Sequence, residues 1–309
     1  MGRVIIFAPT YDPDIGGNIV LHKLCHICRQ LGYDAYLYPT HDVCNMSGFS
    51  YSALMNRIKS SLKSIFVGYK VNEAFSTPIF NGKLNSEDVV VYPEVTYGNP
   101  LKAKNVVRWL LNKPGFFTDN FCFGPNELYF KFDHGLIDNV KTNSSKLSHK
   151  ILSITHIPFE IYNMENIDIR EGVAYSVRKG KHKVLDQHPR DSICIDGLSH
   201  IKVASIFKSV KLFISYDTYS AYSLFAALCG CDVVVIPDKN VTIEQWYPDE
   251  LNRLGIAYGF EDLQRARDTL HLLLPYRKEK EQVQLMATEE CLLEMESFFS
   301  TELKYKLFI

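Results

Sequence analysis

Short runs with no polar alternation recur along the chain: "VIIFAP" from Val4, "DVVVYP" from Asp88, "KLFIS" from Lys211 and "DVVVIP" from Asp232. A strand with one wet face alternates apolar and polar residues, whereas a strand apolar at every position is covered on both faces. Stretches of helix length separate these runs. One spans about Ile19 to Leu31 and stops at Gly32; others are "SHIKVASIFKSV" and "AYSLFAALCG". Doubly buried strands that alternate with helices mean parallel sheets with helices packed on them. "DAYLYP", "KILSITHIPF", "GVAYSV" and "SICID" supply further strands. "LKAKNVVRWLLN", closed by Lys113-Pro114-Gly115, reads as a helix, and "SALMNRIKSSLKSIF" as an amphipathic one.

The pattern runs twice, with a break near residues 158–171 and a long helical region from about Glu261 to Thr301. The expected fold class is therefore α/β, with two doubly wound, Rossmann-like domains. Residues 1–160 form the first and 161–290 the second, and residues 291–309 form a helix that returns to the first. The 309 residues suffice for two domains of ordinary size.

Lys and Arg number 34 against 35 Asp and Glu, a formal net charge of −1, so no global basic field exists to hold nucleic acid. The first apolar run is a strand rather than an export signal, and no stretch approaches the ~18 apolar residues of a membrane span. A cytoplasmic protein with its eight cysteines reduced is expected. The tail "LKYKLFI" could reach the inner face of a membrane, although packing onto the first domain explains it as well.

Ligands of open parallel sheets bind outside the carboxyl ends of the strands. That rule selects Thr10 to Asn18 with Gly16-Gly17, then Pro93-Glu94, Arg178-Lys179-Gly180, Tyr216 to Ser220, and Asp238-Lys239. Gly16 and Gly17 precede a helix, where backbone amides and the helix dipole favour an anion. Their spacing is neither the dinucleotide fingerprint nor a P-loop. Arg178 and Lys179, with Lys181 and Lys183 behind them, offer cations for phosphate. Asp217, Thr218 and Ser220 exceed what capping of one very apolar helix needs. Cys25-His26-Ile27-Cys28 lacks a second ligand pair and sits in a helix, so it reads as core rather than metal site. His156 and His200 read as structural.

These blocks resemble glycosyltransferases of the GT-B fold, of the family-four type, and bacterial surface-polysaccharide enzymes of rhamnosyltransferase-like character. "DIGGNIVLHKLCHICRQLGY" matches the family's glycine-rich loop and helix. "YSVRKGKHK" matches its basic pair, and "DTYSAYSLFAALCGCDVVVIP" its block of two glutamates with seven residues between them. "VYPEVTYGNPLKAKNVVRWLLNKPG" looks like a block of polysaccharide transferases. The resemblance implies two domains facing across a cleft and a nucleotide-sugar donor, with no cofactor and no metal. It also implies a glycan or lipid-linked glycan acceptor. Asp217 falls at the first Glu position, which addresses the donor sugar; Phe225 falls at the second, which grips the ribose, and cannot do so. Donor binding is then expected from Gly16, Gly17, Arg178, Lys179, Lys183, Tyr216, Thr218, Tyr219 and Ser220. Asp217 and Glu94 are the expected catalytic residues, with Asp12, Asp14 and His134 as alternatives to Glu94 as base. The frame favours hexosyl transfer with retention. A nucleotide-sugar 2-epimerase of the same fold and a non-catalytic partner subunit are the rival readings.

Overall fold

The computed structural model describes residues 1–40, 68–115, 121–133, 144–167, 169–183 and 185–303. The chain forms two compact units, Met1–His156 together with the segment from Gln282 onward, and Ile157–Glu281. His134, the segment "SALMNRIKSSLKSIF" and the last six residues of the tail lie outside the described residues.

The first unit is built on a six-stranded sheet. Its strands are β1 (Val4–Pro9), β2 (Ala35–Thr40), β3 (Val89–Pro93), β4 (Asn105–Leu110), β5 (Leu128–Lys131) and β6 (Lys146–Ile151), in the order β2-β1-β3-β4-β5-β6. Every pairing is parallel. Alternate residues of β1 feed two cores. Val4, Ile6 and Ala8 pack with α1 (Gly16–Gln30) and with Cys291, Leu292 and Met295, whereas Ile5 and Phe7 pack with Phe80 and Tyr92. The first face is thus covered by helices. Among the described residues, Phe80, Leu84 and Leu101 pack on the second.

One expected helix is a strand. "NVVRWL" forms β4, with all six residues buried between β3 and β5. Arg108, fully buried, is what makes the segment look amphipathic. Its guanidinium donates to both carboxylate oxygens of Glu127 (2.8 and 2.9 Å) and to the carbonyls of Thr96 and Gly98, and it stacks over the rings of Tyr92 and Phe123. A buried charge with an acceptor on each of its three nitrogens is tolerated inside a sheet.

The second unit carries five parallel strands, β7 (Val173–Ser176), β8 (Ile193–Cys194), β9 (Leu212–Ser215), β10 (Asp232–Val235) and β11 (Ala257–Tyr258), in the order β11-β10-β9-β7-β8. Helices α2 (His200–Ser209), α3 (Ala221–Leu228) and α4 (Ile243–Trp246) follow β8, β9 and β10. Helix α5 (Leu263–Phe299) gives Leu273 and Tyr276 to the core of this unit and Cys291, Leu292 and Met295 to that of the first. Its Pro275 lacks the N–H that the carbonyl of His271 would otherwise accept.

Both sheets reverse their winding after one step. In each, the first strand lies between the second and the third, so a switch point opens between β1 and β3 and another between β7 and β9.

Candidate functional site

At the switch point of the second unit the chain leaves β7 through Val177 into a turn at Arg178–Gly180, and leaves β9 through Tyr216 to the start of α3. The two turns touch. A side chain at Gly180 would collide with the carbonyl of Tyr216, so only glycine lets the backbones approach. Arg178 takes a left-handed backbone (φ +40°) that an L-residue adopts at a cost of about 1–3 kcal/mol. Its exposed guanidinium lies 5.3 Å from the ring of Tyr222 on the first turn of α3. Lys179 is exposed beside it.

The strained turn is anchored by an acid the sequence reading passed over. Asp196, just beyond β8, accepts hydrogen bonds from the Ser176 hydroxyl (2.6 Å) and from the amides of Val177 (2.9 Å) and Arg178 (3.0 Å). Partial desolvation pushes its pKa up, but these three donors and the charge of Arg178 outweigh that and hold it below the usual carboxylate value. Its place at a strand's carboxyl end was the available signal.

Lys183 is positioned differently from Arg178. Its side chain is 6% exposed, and its ammonium donates to Thr218 Oγ1 (2.7 Å) and the carbonyl of Ile236 (2.6 Å) while it pairs with Asp238 (3.1 Å). Thr218 Oγ1 in turn donates to Asp238 (2.5 Å), and His182 bonds the same carboxylate at 3.1 Å. The three donors of Lys183 are matched inside the protein, and the Thr218 hydroxyl is likewise engaged. Tyr216 is likewise fully buried; its hydroxyl accepts from the amide of Gln187 (3.0 Å) and bonds His188 (2.7 Å). Direct donor contact was expected of these three residues; in the structure their side-chain polar groups are engaged within the protein.

Asp217 is 6% exposed and its carboxylate accepts from the amide of Tyr219 at 3.3 Å. Ser220 caps α3 by accepting from Tyr222 N, so one residue does the capping and the carboxylate of Asp217 is left over from that task. Tyr219 is 60% exposed. Phe225 is buried and stacked on Tyr162, centroids 4.3 Å apart.

At the switch point of the first unit, α1 begins at Gly16 after Ile15, which provides no side-chain cap. Neither Gly16 nor Gly17 has positive φ, and a Cβ at Gly16 would meet nothing within 4 Å. Backbone shape and packing therefore do not require glycine at either position. Glu94, at the end of β3, is 3% exposed and accepts from the amide of Leu111 at 3.0 Å. Burial raises its pKa to about 7, against backbone hydrogen bonds that pull the other way. Asp12 is half-buried and accepts from the amide of Asp14, which is exposed.

Cys25 and Cys28 are buried on the inner face of α1, and desolvation raises the Cys25 thiol to about 12 and pushes Cys28 up as well. Such thiols are core residues, not ligands. No cluster of three potential metal ligands is found among the described residues. Among them, too, no helix is long and apolar enough to cross a membrane.

No protein-family model matches the chain, and no curated protein is significantly similar to it. Among solved structures, it is similar to the glycosyltransferase SnogD from Streptomyces nogalater, at 11% identity over 95% of this chain and all of that one, with a TM-score of 0.40. It also matches the spinosyn rhamnosyltransferase SpnG complexed with thymidine diphosphate, at 10% identity over 96% of each chain, with a TM-score of 0.26. At these scores the likeness assigns neither a family nor an activity.

Proposed function

We propose that this chain is a glycosyltransferase of GT-B type. It moves a sugar from a nucleotide-sugar donor to a glycan or lipid-linked glycan acceptor of a bacterial surface polysaccharide. The observation that carries the reading is the meeting of the strained Arg178 turn with the start of α3 at the β7/β9 switch point. An exposed guanidinium beside a helix N-terminus is what a leaving diphosphate needs, because the charge it gains in the transition state is stabilised there. Arg178 and Lys179 grip the diphosphate. Thr218, Lys183 and Tyr216 fix the floor, and Asp217 and Tyr219 address the donor sugar. Gly16 and Gly17 offer amides to an anionic group. Glu94, with a pKa near 7, suits an acceptor base if the reaction inverts. The matching sequence frame favours retention, with Asp217 at the sugar.

A second reading, a non-catalytic partner subunit, is favoured by the burial of Phe225 where the family grips ribose with a carboxylate. A thermal-shift screen with UDP, GDP, dTDP, ADP, CMP and their common sugar conjugates separates the two. A native-state ligand must raise the melting temperature. One nucleotide that stabilises the wild type but not Arg178→Ala supports the transferase. A flat response to all of them sinks it in favour of the partner subunit. Free nucleotide or an epimerised sugar released without acceptor would point to the epimerase instead.

A further inference from the structure

Beside the start of α3, between α4 and the turn of α5 that follows Pro275, the second unit encloses a pocket of about 220 Å³. Its wall includes Tyr219, Ser220, Ser223, Tyr247, Asn252 and Arg277. Drug-sized ligands occupy roughly 300–1,000 Å³, so this space suits one sugar ring and not a nucleotide.

Two polar atoms in it lack partners. Ser223 is 4% exposed and its Oγ is buried with no hydrogen bond; Arg277 Nε is buried in the same condition. Ser223 lies within the first turn of α3, so the unpartnered hydroxyl and the positive end of the helix serve the same space. The guanidinium of Arg277 lies 5.3 Å from the ring of Tyr276, and no carboxylate pairs with it among the described residues. Asp249 is close enough to favour its charge, but the Asp249 carboxylate accepts from the amide of Leu251. Asp217 is engaged with the amide of Tyr219. Native proteins rarely leave a buried guanidinium N–H and a buried hydroxyl unmatched in one pocket, because each forfeits its solvation without recompense. Compare Arg108 in the first unit, where each of the three guanidinium nitrogens has an acceptor.

The missing partner must bring an anion for Arg277, a hydroxyl or ring oxygen for Ser223, and carbon faces for the tyrosines. Tyr219 and Tyr247 meet edge to face, centroids 5.8 Å apart, at the rim. Inorganic phosphate satisfies only the first demand. A sugar carrying a carboxylate satisfies all three. We infer that the pocket binds an acidic sugar of the hexuronate class, with Arg277 on the carboxylate and Ser223 on a ring substituent. In function this rests on the transferase reading, where it makes the sugar handled beside Asp217 an acidic one; as a binding site it stands alone.

The test titrates the intact chain with glucuronate, glucose and inorganic phosphate, by calorimetry and by thermal shift. Glucuronate is expected to bind and to raise the melting temperature, with glucose and phosphate at least tenfold weaker. Arg277→Gln is expected to lose tenfold or more in glucuronate affinity, Ser223→Ala less, and Arg277→Lys an intermediate amount because it keeps the charge without the fork. Unliganded Arg277→Gln should melt close to wild type, since only the contact with the Tyr276 ring is removed, so folding does not confound the result. No binding of glucuronate, equal binding of glucose or phosphate, or unchanged affinity in Arg277→Gln overturns the inference. A UDP and dTDP titration of the same samples keeps the two readings apart. Nucleotide binding through Arg178 without glucuronate binding removes the acidic-sugar pocket alone. Glucuronate binding through Arg277 without nucleotide binding removes the transferase and leaves the pocket.

Discussion

At the switch point of the first unit the chain buries an acid; at that of the second it exposes two bases. The topology is the same, with the first strand between the second and third, yet Glu94 is 3% exposed while Arg178 and Lys179 stand in solvent. The strand order fixes where a crevice opens, and the residues just past the strand ends decide its chemistry. One unit holds a carboxyl poised to exchange a proton near neutrality. The other holds cations on a strained loop tied down by Asp196. The contrast extends to the guanidinium groups, since each nitrogen of Arg108 has an acceptor whereas the buried Nε of Arg277 has none.

The harshest test of that contrast is Arg108→Ala, which strands the Glu127 carboxylate in the sheet. It should cost about 3–5 kcal/mol in denaturant unfolding, whereas Arg277→Ala should cost far less. Equal losses would mean that Arg277 has partners of comparable strength.

Glu94→Gln comes next. A carboxyl whose folded pKa is near 7, raised from an ordinary 4.5, binds its proton more tightly when folded. Its stabilising contribution is complete below about 4.5 and is lost as pH rises through 7, by roughly 3 kcal/mol in all. Melts of the wild type across this window should slope downward with pH, and those of Glu94→Gln should be flatter. Parallel slopes would assign the titration to another group.

Arg178→Ala should weaken nucleoside diphosphate binding about ten- to a hundredfold, the worth of one charge-assisted contact, with little change in stability. Arg178→Gly should show the same loss of affinity and gain up to about 1 kcal/mol as the left-handed backbone relaxes. If affinity survives both in calorimetry, the basic turn is only a solvated loop. The mildest change is Gly16→Ala. With open space around the new methyl, stability should hold or rise by about 0.5–1 kcal/mol, and any loss of anion affinity would show that a ligand needs the bare amide.

Most strands could be read directly, because a run such as "DVVVIP" has only one comfortable environment. β4 could not: Arg108 in its middle imitates a helix's polar face, and the partner that makes it a strand residue, Glu127, lies 19 positions away. Strand-end reasoning located Arg178, Asp217 and Glu94 at the two crevices. It could not tell that Lys183 and Tyr216 turn inward, because that depends on Asp238, Ile236 and the Gln187–His188 loop. Arg277 left no trace in the sequence, since an absent partner becomes visible only when α5 is packed beside α3.

Helix α5 links the units in time as well as in space. The core of the first unit is incomplete without Cys291, Leu292, Met295 and Leu303, whereas the second unit is a single uninterrupted stretch of chain. On the ribosome the second unit can therefore close before the first, although its residues are made later. The first sheet must wait, with part of one face uncovered, while some 125 residues (157–281) are translated. At about 5–20 residues per second that interval lasts several seconds or more, so β1 and β3 are most in need of chaperone cover before the last helix is made.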